Sequence, residues 1–254
     1  MKNLVELQIG ADSNWEQHWI VDSLPGNIGN LKKLKRLTIE YCTSLPLHLA
    51  ELQSLTHLKV STLGKYTEKT SIDIFKKLKN LRILQLATQN TYLTKAIMQA
   101  TKLDSLSLWS KNVPSEIFKM DNLRYLFINN HKAEQDILAK VENDSQLKTL
   151  IIYKNRAERI SDNIQFFKNL QVLEVTSGNL KYISPKIGSL TQLKQIDFSN
   201  NPELKRLPGS IQKLQKLEEL KCSQTSISFK DYHQLSQKLP KLTDASKVKI
   251  KMIN

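Results

Sequence analysis

The sequence predicts an α/β solenoid: about ten short strands side by side in a parallel sheet, each followed by a short helical return. Three observations lead there. A triad of apolar residues with the spacing Leu-x-x-Leu-x-Leu recurs along nearly the whole chain, from Leu4 to about Leu242. From Leu147 to Leu217 it recurs every 23–24 residues. The stretches between triads repeat a second pattern in which proline precedes an isoleucine and then a leucine or methionine, as in Pro208-Gly209-Ser210-Ile211-Gln212-Lys213-Leu214. A fixed period of this length marks stacked repeats, none of which buries its apolar side alone.

The triads justify the strands. They are Leu4-Leu7-Ile9, Leu34-Leu37-Ile39, Leu55-Leu58-Val60, Leu81-Leu84-Leu86 and Leu103-Leu106-Leu108, then Leu123-Leu126-Ile128, Leu147-Leu150-Ile152, Leu170-Leu173-Val175, Leu193-Ile196-Phe198 and Leu217-Leu220-Cys222. The second and third members are two residues apart, so they point to one side of a strand, the core side, and the residue between them points outward. The returns justify the opposite layer. In Leu204–Leu214 the residues Leu204, Leu207, Ile211 and Leu214 are expected inward, with Pro208 beginning a short helical turn whose first residues need no N–H from it. The same return reads Ser23–Leu31, Val113–Met120 and Ile183–Leu190.

Three stretches interrupt the period. Gly10–Ser23 is a longer first return, in which Trp15 and Trp19 are spaced to share a helix face and plug the first coil. Leu63–Ser71 is polar and reads as a projecting loop. Asn129–Lys140 reads as a helical return. At the C-terminus, Tyr232, Leu235 and Leu239 share one face of a helix, and Lys247–Met252 alternates as an edge strand guarded by lysines. Residues 1–254 therefore read as one domain with 228–254 as its C-terminal cap. No comparable cap precedes Leu4, so that edge is expected to meet further sequence or a partner.

Composition narrows the function. The chain has 254 residues, a net charge of +14, 7 glycines and 2 cysteines. Glycine scarcity argues against phosphate-cradling loops, and no Walker, Gly-x-Gly-x-x-Gly, Gly-x-Ser-x-Gly or His-Glu-x-x-His motif occurs. No catalytic residue, metal set or cofactor is expected. Cys42 and Cys222 fall in the second and tenth units, roughly 38 Å apart at about 4.8 Å per strand, too far for a disulfide. No apolar run is long enough to span a membrane. No secretory signal is visible, which favours the cytoplasm.

Ten triads with these returns resemble the leucine-rich repeat family, in particular intracellular plant disease-resistance receptors and bacterial leucine-rich repeat proteins. The resemblance implies a horseshoe with a concave sheet face and a binding scaffold without catalysis. It also implies an asparagine three residues after each triad, bonding the backbone at the bend. Asn155 and Asn201 match and Cys42 is an accepted substitute, whereas Asp12, Leu63, Gln89, Lys111, His131, Gly178 and Thr225 depart. Irregular bends are expected in the first six units.

On the concave face the outward positions are mixed, but units five to seven place Trp109, Tyr125, Phe127, Ile151 and Tyr153 within two strand steps. Clustered aromatic residues on a wet face mark an interaction site, so a protein or peptide partner is expected there. Glu174 and Asp197 follow as an acidic flank. Lysines such as Lys76, Lys77, Lys79, Lys168, Lys213 and Lys216 line one rim. That rim reads first as a solvated face, and nucleic-acid binding is disfavoured because no stacking aromatics interleave with it. The alternatives are the sensing part of a larger receptor and a binder of acidic surfaces or nucleic acid through the rim.

Overall fold

The structure, a computed structural model, describes residues 3–10, 24–43, 45–62, 68–111, 113–129, 136–154 and 156–242. The chain forms two compact units, Met1–Leu123 and Arg124–Asn254.

In the first unit, β1 (Glu6–Ile9), β2 (Arg36–Cys42), β3 (His57–Thr62), β4 (Ile83–Ala87) and β5 (Ser105–Trp109) pair in parallel in chain order. In the second, β6 (Tyr125–Asn129), β7 (Thr149–Tyr153), β9 (Val172–Thr176), β11 (Gln195–Asp197) and β12 (Glu219–Lys221) do the same. Equivalent triad positions face one another: Leu150 is opposite Leu173, and Leu173 opposite Ile196. The returns of this unit add a two-stranded parallel ladder that the sequence reading omitted, β8 (Arg159–Ile160) on β10 (Tyr182–Ile183).

Alternation decides which side is core. Leu126, Ile128, Leu150, Ile152, Leu173, Val175 and Ile196 are buried, while the residues between them are half-buried. Within each unit, one carbonyl of a coil accepts two amides from the next: Thr56 O from Arg82 N at 2.9 Å and Ile83 N at 3.0 Å, and likewise at Val5, Lys35, Arg82, Arg124, Lys148, Gln171 and Lys194. Stacking thus satisfies the backbone as well as covering apolar surface.

Most returns are 3₁₀ rather than α-helical. Pro25, Pro46, Pro114 and Pro208 stand just before the first helical residue, in extended conformation. Their carbonyls close the i→i+3 turn, as Pro208 O accepts from Ile211 N at 3.1 Å. Leu204, Ile211 and Leu214 are fully buried as expected. Leu207 is only half-buried and lines a cavity of about 350 Å³ against Ile227 and Leu235 of the last coil and the C-terminal helix α3 (Phe229–Ser236).

One loop expectation is corrected. The polar stretch assigned as a loop over Leu63–Ser71 contains the start of α1 (Glu68–Lys77), because Ile74, Phe75 and Leu78 form a buried apolar face that draws the preceding residues into helix. Of the helical reading of Asn129–Lys140, residues 130–135 lie outside the described residues, and the described part is a 3₁₀ turn over Ile137–Lys140, opened by the Asp136 carboxylate accepting from Leu138 N at 2.9 Å. Trp15, Trp19 and the strand proposed over Lys247–Met252 lie outside the described residues. The remaining helix, α2 (Thr91–Ala96), is capped by Asn90.

The bends are regular from the seventh repeat on, whereas in the earlier repeats Thr88 and Ser110 lack the left-handed backbone that Tyr41 has, as the departures there lead one to expect. Left-handed backbone recurs at Tyr41, Lys154, Ser177, Asn200 and Gln224, each just before the position where an asparagine is expected. Asn201 is fully buried and its amide nitrogen donates to Val175 O at 2.7 Å, Phe198 O at 2.9 Å and Ser199 O at 3.3 Å, while its oxygen accepts from Leu180 N at 3.1 Å. Thr225 departs from asparagine yet keeps the bend through its hydroxyl on Cys222 O at 2.7 Å. At Gly178 the backbone amide donates to Asn200 O of the next coil at 3.1 Å.

Candidate functional site on the outer face of the strands

The five residues singled out from the sequence fall in both units. Trp109 ends β5, and Tyr125, Phe127, Ile151 and Tyr153 lie on β6 and β7. All point away from the buried triad residues and all are half-buried rather than freely exposed. Side chains on strands one step apart shield one another, which a reading of outward positions alone overlooks.

On the second unit the register assembles a graded row. Phe127 is directly opposite Ile151, Ile151 opposite Glu174, Glu174 opposite Asp197, and Asp197 opposite Lys221. Tyr125 flanks the apolar end beside Thr149, and Tyr153 flanks it beside Asn129. The Lys154 ammonium sits 5.4 Å from the centre of the Tyr153 ring, a cation–π contact that holds the phenol at the edge of the row.

The acidic end has its own electrostatics. Gln195 Nε2 donates to Glu174 Oε1 at 3.2 Å, and Asp197 Oδ1 accepts from the Ser199 amide at 2.8 Å. Burial, and then the neighbouring Asp197 charge, push the Glu174 carboxyl above its ordinary range. Burial, followed by the charge of Glu174, likewise raises the Tyr125 phenol. The Lys221 ammonium pairs with Glu219 at 2.8 Å, and that bond heads the causes that raise its pKa.

Trp109 belongs to a different feature, within its own unit. It lines a cavity of about 220 Å³ with Glu40, Lys59, Ser61, Gln85 and Ala87. Ser61 is paired with Ala87 and Ala87 with Trp109. Two small side chains thus open a gap between the indole and the Glu40–Lys59 ion pair, 2.7 Å long. A register shift between Ile39 and Cys42 bends β2 beside this gap. The sequence carried the signal: the third outward position reads Glu40, Ser61, Ala87, Trp109, large-small-small-large.

The basic rim is exposed at Lys76, Lys77 and Lys79. Elsewhere it is partly matched, with Lys32 on Glu51 at 3.4 Å, Lys168 on Asp144 at 2.8 Å and Lys216 on Gln192 at 2.7 Å. Both cysteines are buried, and burial drives the Cys222 thiol up to about 12. Such a thiol is inert as a nucleophile. Among the described residues no group of histidine, cysteine or carboxylate side chains is arranged to hold a metal, and no helix is long and apolar enough to cross a membrane.

Residues 110–254, more than half the chain, match the sequence profile described as leucine-rich repeat region. The chain belongs to the leucine-rich repeat family. Among solved structures, an internalin from Listeria monocytogenes superposes with a TM-score of 0.65 at 21% identity, covering 91% of this chain and 65% of the internalin. A chain of the Toll–Spatzle complex from Drosophila gives 0.67 at 18% identity, covering 89% and 31%. Among curated proteins, an adenylate cyclase from Schizosaccharomyces pombe is 24% identical over 210 residues, 81% of this chain. The chain spans 12% of that relative's length. At these identities the likeness is one of fold. The leucine-rich repeat fold is generally a protein-interaction scaffold, and the family is typically non-enzymatic.

Proposed function

We propose that this chain is a protein- or peptide-binding scaffold, one repeat domain over residues 1–254, that acts by recognition and not by catalysis. Its partner docks on the outer face of β6 and β7. The observation that carries the reading is the cross-strand pair Phe127–Ile151 flanked by Tyr125 and Tyr153, four large apolar or aromatic side chains on two adjacent strands with none of them fully buried. Aromatic residues in this setting are the usual anchors of an interface. Their backbone is held by a hydrogen-bonded sheet over a buried core, so docking needs no prior ordering of a loop. A structural neighbour of this fold comes from the Toll–Spatzle complex, itself an assembly of proteins.

The test is affinity capture from an extract of the source cells, comparing the wild type with Phe127→Ala, Ile151→Ala and a return-face control, Lys216→Ala. The wild type and the control should retain the same partner and the two face variants should lose it. Equal recovery by all four would overturn the reading.

A further inference from the structure

The outer face of the second unit carries a charge opposite to that of the chain. The chain's net charge is +14. The charged residues that point outward from β6, β7, β9, β11 and β12 are Glu174, Asp197, Glu219 and Lys221, three carboxylates against one ammonium. Lys221 is engaged by Glu219 at 2.8 Å. Glu174 and Asp197 face each other across adjacent strands, and among the described residues neither has a cation within 4.0 Å. Like charges directly opposite in a sheet are destabilising. Here they sit at the end of an apolar row, the half-buried Phe127 and Ile151, with Ile151 directly beside Glu174. An apolar face closed on one side by two carboxylates, neither in an ion pair within 4.0 Å although Lys221 stands opposite Asp197 and is engaged by Glu219, is complementary to a segment that is apolar and then cationic.

From this row we infer that the segment docked on it is an extended peptide. It lays an apolar side chain on Phe127 and Ile151 and presents a lysine or arginine to Glu174 and Asp197. This rests on the docking reading above and adds the chemistry of the partner. The spacing follows from the sheet. The centre of the apolar pair and the centre of the carboxylate pair are two strand steps apart, about 9.6 Å at about 4.8 Å per step. In an extended chain, side chains on one side are about 6.7 Å apart. A long cationic side chain two residues beyond the apolar one covers the remainder, and the recognised pattern is apolar-x-Lys/Arg. Arginine fits better than lysine, because its planar fork can bridge two carboxylates. The chain's overall positive charge repels such a segment at long range. Recognition therefore works through short contacts, and affinity lies mostly in the dissociation rate.

The probe is a yeast-displayed random-peptide library selected on the intact chain. Enriched peptides should share an apolar residue two places before an arginine or lysine. The double variant Glu174→Gln/Asp197→Asn, which keeps side-chain shape, should bind them at least about tenfold more weakly. Its circular dichroism should be unchanged. Glu174→Lys should switch the enriched charge to aspartate or glutamate. Enriched peptides that depend on Phe127 but lack a cation, or that bind the double variant equally well, would overturn this inference and leave the docking reading standing. Enrichment indifferent to Phe127→Ala, or none at all, would overturn both.

Discussion

Asn201→Ala removes one side chain and strands three backbone groups. The Leu180 amide loses its acceptor at 3.1 Å, and the Val175 and Phe198 carbonyls lose donors at 2.7 and 2.9 Å. Ser199 O keeps the Ser177 amide at 3.2 Å, so its longer contact matters little. Asn201 is fully buried, so water does not readily replace these bonds. At about 1 kcal/mol for each group at the low end of the usual range, the loss is about 3 kcal/mol. The assay is urea unfolding followed by circular dichroism, with Asn200→Gly as the control. Asn200 is exposed with φ near 60°, a conformation glycine adopts freely, so the control should change stability by less than about 0.5 kcal/mol. A loss below about 1 kcal/mol for Asn201→Ala, or equal losses for the two variants, would refute the claim that this side chain fastens the bend.

Leu173→Ala should cost about 2–5 kcal/mol in the same assay, since Leu173 is fully buried between Leu150 and Ile196. Gly188→Ala should cost about 1–3 kcal/mol by overpacking, because a Cβ there would lie 2.6 Å from the Ser210 carbonyl oxygen and 2.7 Å from its Cβ in the next coil. Glu174→Gln should stabilise the chain at neutral pH. The folded carboxyl is raised, so the folded state holds its proton longer and stability falls as pH rises from the ordinary carboxylate value through the raised one. The gap between variant and wild type should therefore open across that window and close below it, read as the difference in melting temperature against pH.

The strands were legible because a two-residue alternation inside a fixed period leaves little freedom: once Leu150 and Ile152 face the core, Ile151 faces out. The register was equally legible, and with it the Phe127–Ile151 and Glu174–Asp197 pairs. The returns were less so. Whether Pro208 stands inside or just before its turn depends on the 3₁₀ closure through its own carbonyl, which the sequence pattern does not distinguish from an α-helical start. The α1 helix was hidden because its first residues are polar and only Ile74, Phe75 and Leu78 commit it to the core. The bend at Thr225 reads as a departure because the sequence shows which side chain is missing, not that the Thr225 hydroxyl takes its place on Cys222 O. At the site, outward direction was readable but shielding was not. Spacing alone groups Trp109 with the tyrosines, while the cavity it lines arises from the two small residues Ser61 and Ala87 beside it.

The central claim is that a partner is held by the apolar pair on the outer face of β6 and β7. Calorimetric titration of the captured partner, or of the best selected peptide, against wild type and Phe127→Ala tests it most directly. Phe127→Ala should lose about 2 kcal/mol or more, roughly thirtyfold in affinity, with the buried core intact by circular dichroism. Affinities within about twofold of each other would contradict it.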